Sequence, residues 1–383
     1  MSTPRVFLPG STIGVMGSGQ LGRMFAIAAR RMGYRIHTFS PEKNTPTGQV
    51  ADLEVAASYN DEAAVRRFAQ GVDVLTFEFE NIPVQSVQWA AEHCDVRPAG
   101  NVLHICQHRL REKQFLSNAG LPLPKFIHVT SEAHLRASAA VLGMNCVLKT
   151  AAFGYDGKGQ QRITRDTDIA AVWASFGGQP AVLEAWVPYE KEISVLVARG
   201  IDGRMVSYPV FENLHSKHIL DITICPANID PDIAARARAI AGEVAAALDL
   251  VGVLAVEMFL LPSGEILINE LAPRPHNSGH VTFDASVTSQ FEQQLRAVCG
   301  LPLGSTESMR PGAMANLLGD LWDRGEPDWV AALTMPDVKL HLYGKHDPRP
   351  GRKMGHLVAF GGDATAAGNR AREARDRLTR RSK

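Results

Sequence analysis

An excess of one charge is the first thing this chain lacks. Its 383 residues carry 40 Lys+Arg against 40 Asp+Glu. No net field therefore draws it to nucleic acid or to an anionic membrane, and any anion must be held by local groups. Paired cysteines are also missing. The five that occur, Cys94, Cys106, Cys146, Cys225 and Cys299, are scattered, odd in number and without C-x-x-C spacing. That excludes a zinc ribbon and a disulfide framework, and it suits a reducing compartment. No apolar run reaches the roughly 18 residues of a membrane span, because Glu243, Asp249 and Glu257 interrupt the richest stretch. The opening MSTPRVFLPGSTIGVMGSG lacks the apolar core of a secretion signal. A cytoplasmic protein without nucleic-acid or membrane partners is expected. The length exceeds one ordinary core, so two or three domains are expected.

Residues 11–110 alternate strand-like and helix-like segments. Thr12–Met16 is a short apolar run, and Gly17-Ser-Gly-Gln-Leu-Gly22 opens a helical stretch through Arg31. Tyr34–Phe39 and Val72–Phe77 read as further strands, with a helix at Glu62–Ala69 between them. That rhythm predicts βαβ units and a parallel, doubly wound sheet. A helix ended by Gly120, then a Pro-rich connection, marks a boundary near residues 110–125. Short strands follow at Asn145–Lys149 and Ala181–Glu184 around a glycine-rich loop. Further strands at Ile193–Ala198, Met205–Val210, Leu254–Leu260 and Glu265–Leu271 surround an Ala-rich helix at Pro231–Leu248. Past about residue 310 the order is strand, loop, strand, and REARDRLTRRSK reads as a charged, solvated helical end.

The most informative stretch is EMFLLPSGEILINELAPRPHNSGHV, residues 257–281. Two apolar runs flank a tight turn at Ser263-Gly264, a hairpin signal. Counting outward, 261 faces 266 and Glu257 faces Glu270, with Cβ atoms roughly 5 Å apart. Carboxylates that close repel unless a proton or cation lies between them. Magnesium, which prefers one or two carboxylates plus phosphate oxygens, satisfies both. The alternative is two acids splayed into solvent. Arg274, His276, Asn277 and Ser278 follow in a Pro-broken loop, a set of polar groups that favours a site.

Other motifs carry weaker signals. Gly17–Gly22 is a G-x-G-x-x-G between strand and helix, where backbone amides can meet a phosphate. The next strand ends at Phe39-Ser40-Pro41, with no acid placed for a ribose, so a dinucleotide is disfavoured. Glu78 and Glu80 close a later strand, where one could hold a hydroxyl or amine, or both could face solvent. Gly154-Tyr-Asp-Gly-Lys-Gly-Gln160 is a flexible backbone with Lys158 inside it, either a phosphate cover or an ordinary hairpin. Lys149 ends an apolar strand, where a cation needs a partner. Glu184-Ala185-Trp186-Val187 could offer backbone groups to an adenine edge, or Trp186 could be core. Glu192 could bind a ribose. Lys345, Arg349, Arg352 and Lys353 crowd a Pro- and Gly-bent loop that suits an anion.

Taken in order, these pieces resemble an ATP-grasp ligase. GSGQLGRM, GYDGKGQ, NELAPRPHNSGH and RPGRKMGH together resemble the 5-(carboxyamino)imidazole ribonucleotide synthase family, over nearly the whole chain. The resemblance implies an α/β and α+β, ATP-grasp architecture. Residues 1–112 would form a Rossmann-like domain, 113–188 a small lid subdomain, 189–309 a large subdomain with the metal site, and 310–383 a small β-rich C-terminal unit. It implies ATP-dependent carboxylation of aminoimidazole ribonucleotide by bicarbonate through carboxyphosphate. The related formate-dependent glycinamide ribonucleotide transformylase is the rival reading. ATP would contact Arg109, Lys149, Gly154–Gln160 (Tyr155, Asp156, Gly157, Lys158 and Gly159 included), Glu184, Ala185, Trp186, Val187, Glu192, His215, Asn269 and Glu270. Magnesium, or manganese, would sit on Glu257 and Glu270. Ala272 replaces an Asn common in the superfamily, so no third protein ligand is expected there. The ribonucleotide would meet Gly19, Gln20, Leu21, Glu78, Tyr155, Asp156 and Ser278, with its phosphate on Lys345, Arg352 and Lys353. Arg274, Lys158, His276 and Asn277 would serve the reacting centre. A homodimer is expected by resemblance alone.

Overall fold

The computed structural model describes residues 5–151 and 159–379. Its first layer is a five-stranded parallel sheet in the order Leu53–Ala56, Arg35–Ser40, Thr12–Met16, Val74–Phe77, Asp95–Val96. Strand Thr12–Met16 is buried on both faces, as parallel strands covered by crossover helices must be. The helix Gln20–Arg31 buries Leu21, Met24, Phe25, Ala28 and Ala29, spaced three and four apart on one face. Strand order reverses between Thr12–Met16 and Val74–Phe77, and the crevice at such a reversal is where ligands of open α/β sheets bind.

A four-stranded antiparallel sheet follows, ordered Phe126–Val129, Ala181–Ala185, Cys146–Thr150, Gln160–Ile163. The third sheet has nine strands. Its path runs Ile266–Ala272, Gly252–Leu260, Lys191–Arg199, Phe211–Ser216, Ile219–Cys225, Gly312–Leu318, Lys353–Phe360, Val338–Leu342, with Met205–Ser207 beside Lys191–Arg199. The C-terminal strands thus extend the sheet that holds the hairpin of Glu257 and Glu270, through the Ile219–Cys225 to Gly312–Leu318 pairing. Helix Pro231–Ala247 seats Ala237, Ala241, Val244 and Ala245 in the core under that hairpin.

Seven strands, Leu53–Ala56, Asp95–Val96, Phe126–Val129, Gln160–Ile163, Phe211–Ser216, Ile219–Cys225 and Gly312–Leu318, were not legible from pattern. The C-terminal helix, Ala364–Arg377, is also less solvated than its charges suggest. It buries Ala367, Ala371 and Ala374, and Leu378 follows into the same core. Alanines at that spacing let the helix approach the sheet closely, and a larger residue there would overpack it. No helix of the described residues is long and apolar enough to cross a membrane. All five cysteines are free.

Candidate active site

The hairpin Gly252–Leu260 to Ile266–Ala272 does oppose Glu257 and Glu270, by a route the sequence did not reveal. The loop is one residue longer than expected: the Leu261 amide donates to the Glu265 carbonyl (2.9 Å), and Gly264 takes φ 81°. That is a three-residue loop ending in a left-handed glycine. The pairing is therefore shifted by one, with Leu260 facing Ile266 and Met258 facing Ile268. A bulge at Asn269 restores the register, so that Glu270 returns opposite Glu257. The Asn269 carbonyl lies 3.3 Å from Lys113 Nζ, and its side-chain oxygen 3.4 Å from Lys149 Nζ.

The Glu257 side chain is 16% exposed, whereas that of Glu270 is 45% exposed and opens onto the cleft. Burial and then the neighbouring Glu257 charge push the Glu270 carboxyl up. Burial also opposes ionisation of Glu257, but the neighbouring His276, with His215 and Arg274, outweighs it and brings that carboxyl to about 2. His276 Nε2 lies 2.9 Å from Glu257 Oε1, and Arg109 Nη1 lies 3.6 Å from Glu270 Oε2. Glu270 is thus the under-compensated member, which is what a pair completed by a cation requires. The described residues contain no cluster of three or more His, Cys, Asp or Glu suited to a metal. A two-carboxylate site that relies on phosphate oxygens and water fits magnesium's habits.

These groups floor a cleft of about 1440 Å³, larger than the roughly 300–1,000 Å³ of a typical single-ligand pocket. On its wall, Glu184 joins two lysines: Lys149 Nζ donates to Oε2 at 3.0 Å, and Lys113 Nζ lies 3.3 Å from Oε1. Burial disfavours the Glu184 charge, but Lys113, Lys149 and Arg109 overcome it and hold the carboxyl at about 2. Lys113 is 0% exposed. The amides of Ala185 and Trp186 donate to the carbonyls of Lys125 (2.8 Å) and Asn145 (3.0 Å), and Arg162 stacks on the Trp186 ring at 4.0 Å. Trp186 is partly exposed in the cleft, not core. Glu192 accepts from Tyr189 Oη (2.6 Å) and pairs with His215 Nδ1 (2.8 Å). Gly159 and Gln160 also line the cleft, as does Val187. Gly154, Tyr155, Asp156, Gly157 and Lys158 lie outside the described residues.

Arg274 is clamped by Glu80, with Nε and Nη2 at 2.5 and 2.9 Å from its two oxygens. This fork-to-fork pair fixes the guanidinium plane in the cleft. Arg109 Nε and both amide atoms of Asn277 are buried with no hydrogen-bond partner among the described residues. Buried polar atoms are rarely left so, and these line the cleft, where a ligand can complete them.

Several expected substrate residues sit elsewhere. Gln20, Leu21 and Lys353 line the cleft, whereas Gly19, Glu78, Ser278, Lys345 and Arg352 do not. The Glu78 carboxylate turns inward and accepts from the amides of Gly19 (2.5 Å) and Gly22 (3.0 Å). It fills the anion site of the glycine turn from within. A Cβ on Gly17 would stand 2.3 Å from Glu78 Cγ, so these glycines make room for that side chain. Ser278 is fully buried beneath His276. Lys345 donates to the Lys353 carbonyl (2.8 Å), and Arg352 donates to the Asp347 carbonyl (2.8 Å). Gln49 Nε2 donates to the Gly344 carbonyl (2.8 Å) and ties this basic loop to the parallel-sheet domain.

Sequence reasoning missed Lys113 and Glu112, adjacent charges on helix Arg109–Asn118 that both point inward. Burial pushes Glu112 up to about 8, and its Oε2 accepts from the Leu271 amide at 3.1 Å. The available signal was that this helix has too few apolar residues to fill a buried face, Leu116 being its one fully buried apolar side chain.

A glycine-rich loop between two antiparallel strands, a buried Lys–Glu pair and an acid-bearing hairpin define an ATP-grasp nucleotide site. The ATP-grasp domain family model matches residues 114–291, the ribonucleotide synthetase preATP-grasp domain 11–107, and the phosphoribosylaminoimidazole carboxylase C-terminal domain 312–370. The N5-carboxyaminoimidazole ribonucleotide synthase of Bacillus subtilis is 43% identical over 92% of this chain and 92% of its own. The crystal structure of an ADP complex of an N5-carboxyaminoimidazole ribonucleotide synthetase superposes with a TM-score of 0.92, at 43% identity, over 99% of this chain and 100% of that one. The enzyme of Aspergillus clavatus, in complex with ADP and 5-aminoimidazole ribonucleotide, gives 0.88 at 30% identity over 96% and 98%. The chain belongs to the N5-carboxyaminoimidazole ribonucleotide synthase family.

Proposed function

We infer that this protein is an ATP-dependent ligase that carboxylates 5-aminoimidazole ribonucleotide with bicarbonate, giving N5-carboxyaminoimidazole ribonucleotide, ADP and phosphate. The observation that carries the reading is the under-compensated Glu257–Glu270 pair on the floor of a cleft whose wall is Lys149–Glu184–Lys113. The family membership supports it, and the formate-dependent transformylase is disfavoured.

A bicarbonate oxygen attacks the γ-phosphorus, ADP departs, and carboxyphosphate forms. The exocyclic amine then attacks the carboxyl carbon, phosphate leaves, and the amine loses a proton. Magnesium on Glu257 and Glu270, when bound, offsets charge on the transferring phosphoryl group. Lys149 and Arg109 reach the phosphates from the cleft wall, and Glu192 meets the ribose. The adenine edge falls to Val187, since the Ala185 and Trp186 amides are engaged. Arg274, its plane held by Glu80, steadies the carboxyphosphate, and Asn277 supplies the amide that lacks a partner. Carboxyphosphate hydrolyses readily, so excluding water is part of the task. We assign the glycine-rich loop that role, place the enzyme in the cytoplasm as a homodimer, and keep the division at residues 112, 188 and 309.

Phosphate release with aminoimidazole ribonucleotide plus bicarbonate, against glycinamide ribonucleotide plus formate, tests the reaction. Turnover with the first pair alone is expected. Turnover with the second alone overturns the reading.

A further inference from the structure

Two lysines of the cleft wall share the same two partners, and the steps above give a task to one of them. Glu184 offers Oε2 to Lys149 Nζ at 3.0 Å and Oε1 to Lys113 Nζ at 3.3 Å. Asn269 offers its side-chain oxygen to Lys149 at 3.4 Å and its backbone carbonyl to Lys113 at 3.3 Å. Exposure separates them. Lys149 keeps 11% of its side chain exposed and lines the cleft, whereas the Lys113 side chain is 0% exposed and reaches no ligand. Glu184 Oε1 accepts no hydrogen bond among the described residues, so what Lys113 brings to it is charge.

The helix behind the wall explains the arrangement. Arg109 and Lys113 lie four positions apart on Arg109–Asn118, and therefore on one helical face. Arg109 faces Glu270 at 3.6 Å, which leaves both lysines to the single Glu184 carboxylate. Glu112, pushed up to about 8 by burial, is mostly uncharged at neutral pH and does not alter that balance. The wall thus carries more positive charge than its carboxylates cancel. Burial pushes the Lys149 ammonium down, Glu184 opposes this, and Arg109 and Lys113 add to it, as a local excess of cations requires.

We propose that Lys113 is a positioning residue for the ATP site: its buried charge is the counter-ion of Glu184, which leaves Lys149 as an uncompensated cation turned to the triphosphate. Without Lys113, Glu184 and Lys149 would close into a pair that is neutral overall and attracts phosphate weakly. The same ammonium grips the bulged Asn269 carbonyl, so it ties the nucleotide wall to the strand of Glu270. A lysine with a merely structural role would, on removal, weaken every ligand of the cleft alike. This deepens the carboxylase reading and rests on it only for Lys149 meeting phosphate.

The test compares Mg-ATP with adenosine, which lacks the phosphates, on the full chain without bicarbonate or ribonucleotide. Calorimetry reads the first and ligand-observed NMR the second. Lys113→Met keeps the stem and removes the charge. Its Kd for Mg-ATP should rise roughly 10–100-fold, as when one charge of a close set is lost, while that for adenosine stays within about twofold. Combining Lys113→Met with Glu184→Gln restores the charge balance. The double variant should bind Mg-ATP within about threefold of wild type, a coupling that the counter-ion role demands. Unchanged Mg-ATP affinity in Lys113→Met, an equal loss for both ligands, or a double variant no tighter than the single one overturns the proposal. If Lys113→Met does not fold, the double variant decides alone, and a loss beyond about tenfold in Mg-ATP affinity refutes the counter-ion role. A wild-type chain that binds no Mg-ATP would instead overturn the ATP reading itself, and the proposal with it.

Discussion

Two regions of this molecule place carboxylates at sites suited to binding ions, and they differ in what is left for a ligand to meet. At the glycine turn, the amides of Gly19 and Gly22 are already met by Glu78, so these donors are taken within the chain, although burial still pushes that carboxyl up. At the hairpin, Glu257 and Glu270 face each other, and His276 and Arg109 compensate them unevenly. A motif that reads as a phosphate cradle is thus satisfied internally, while one that reads as a repulsive liability stays open to a cation. Groups left facing the open cleft mark the reacting centre better than glycine spacing does. The barrier to mistaking one for the other is that Glu78 lies 59 residues from Gly19 in sequence.

The contrast can be broken most severely at Glu270. Glu270→Gln removes a charge the fold does not need, so phosphate release should fall by roughly 10²–10³-fold, as when a transition-state donor is lost. Its Tm should equal or exceed the wild-type value, since the repulsion with Glu257 disappears. Near-normal turnover would refute the metal assignment. Arg274→Lys comes next. It keeps the charge but loses the two-point clamp to Glu80, and kcat should drop roughly 10–100-fold, with KM for ATP nearly constant. Loss of ATP affinity instead would move Arg274 to the nucleotide.

Glu78→Gln probes the closed region. The amide can accept one backbone N–H, but it turns its own donor toward the other, so stability should fall by about 1–3 kcal/mol. Chemical denaturation reads this directly, and KM for ATP should change by less than about twofold. A large rise in that KM would put nucleotide at the glycine turn after all. The smallest effect is at Glu112. Its folded carboxyl titrates at about 8, whereas an unfolded glutamate ionises near about 4.3. Between those values the unfolded chain gives up a proton that the folded chain keeps, so wild-type stability falls as pH rises. Glu112→Gln has no such dependence, and its Tm advantage should widen from pH 5 to pH 8. A gap that stays constant would mean the carboxyl ionises normally.

The parallel sheet, the hairpin and the opposed acids were legible because they are local: alternation, turn residues and register lie within a few dozen positions. Even there, Glu257 met Glu270 only because the Asn269 bulge cancelled a one-residue longer loop. What stayed hidden were partnerships across the chain. Lys113 reaches Glu184, Glu80 reaches Arg274 194 residues away, and Ser278 turns inward to Ser194. Strands Phe211–Ser216 and Ile219–Cys225 escaped because their polar Asn213 and Thr223 interrupt the apolar pattern, and those side chains turn inward to hydrogen-bond each other.

The most direct measurement is manganese binding in the presence of ATP, followed by electron paramagnetic resonance on wild type, Glu257→Gln and Glu270→Gln. If the opposed acids hold the ion that carries the triphosphate, wild type gives a protein-bound manganese signal and each single amide abolishes or greatly weakens it. An undiminished signal in both variants would place the ion elsewhere and contradict the assignment.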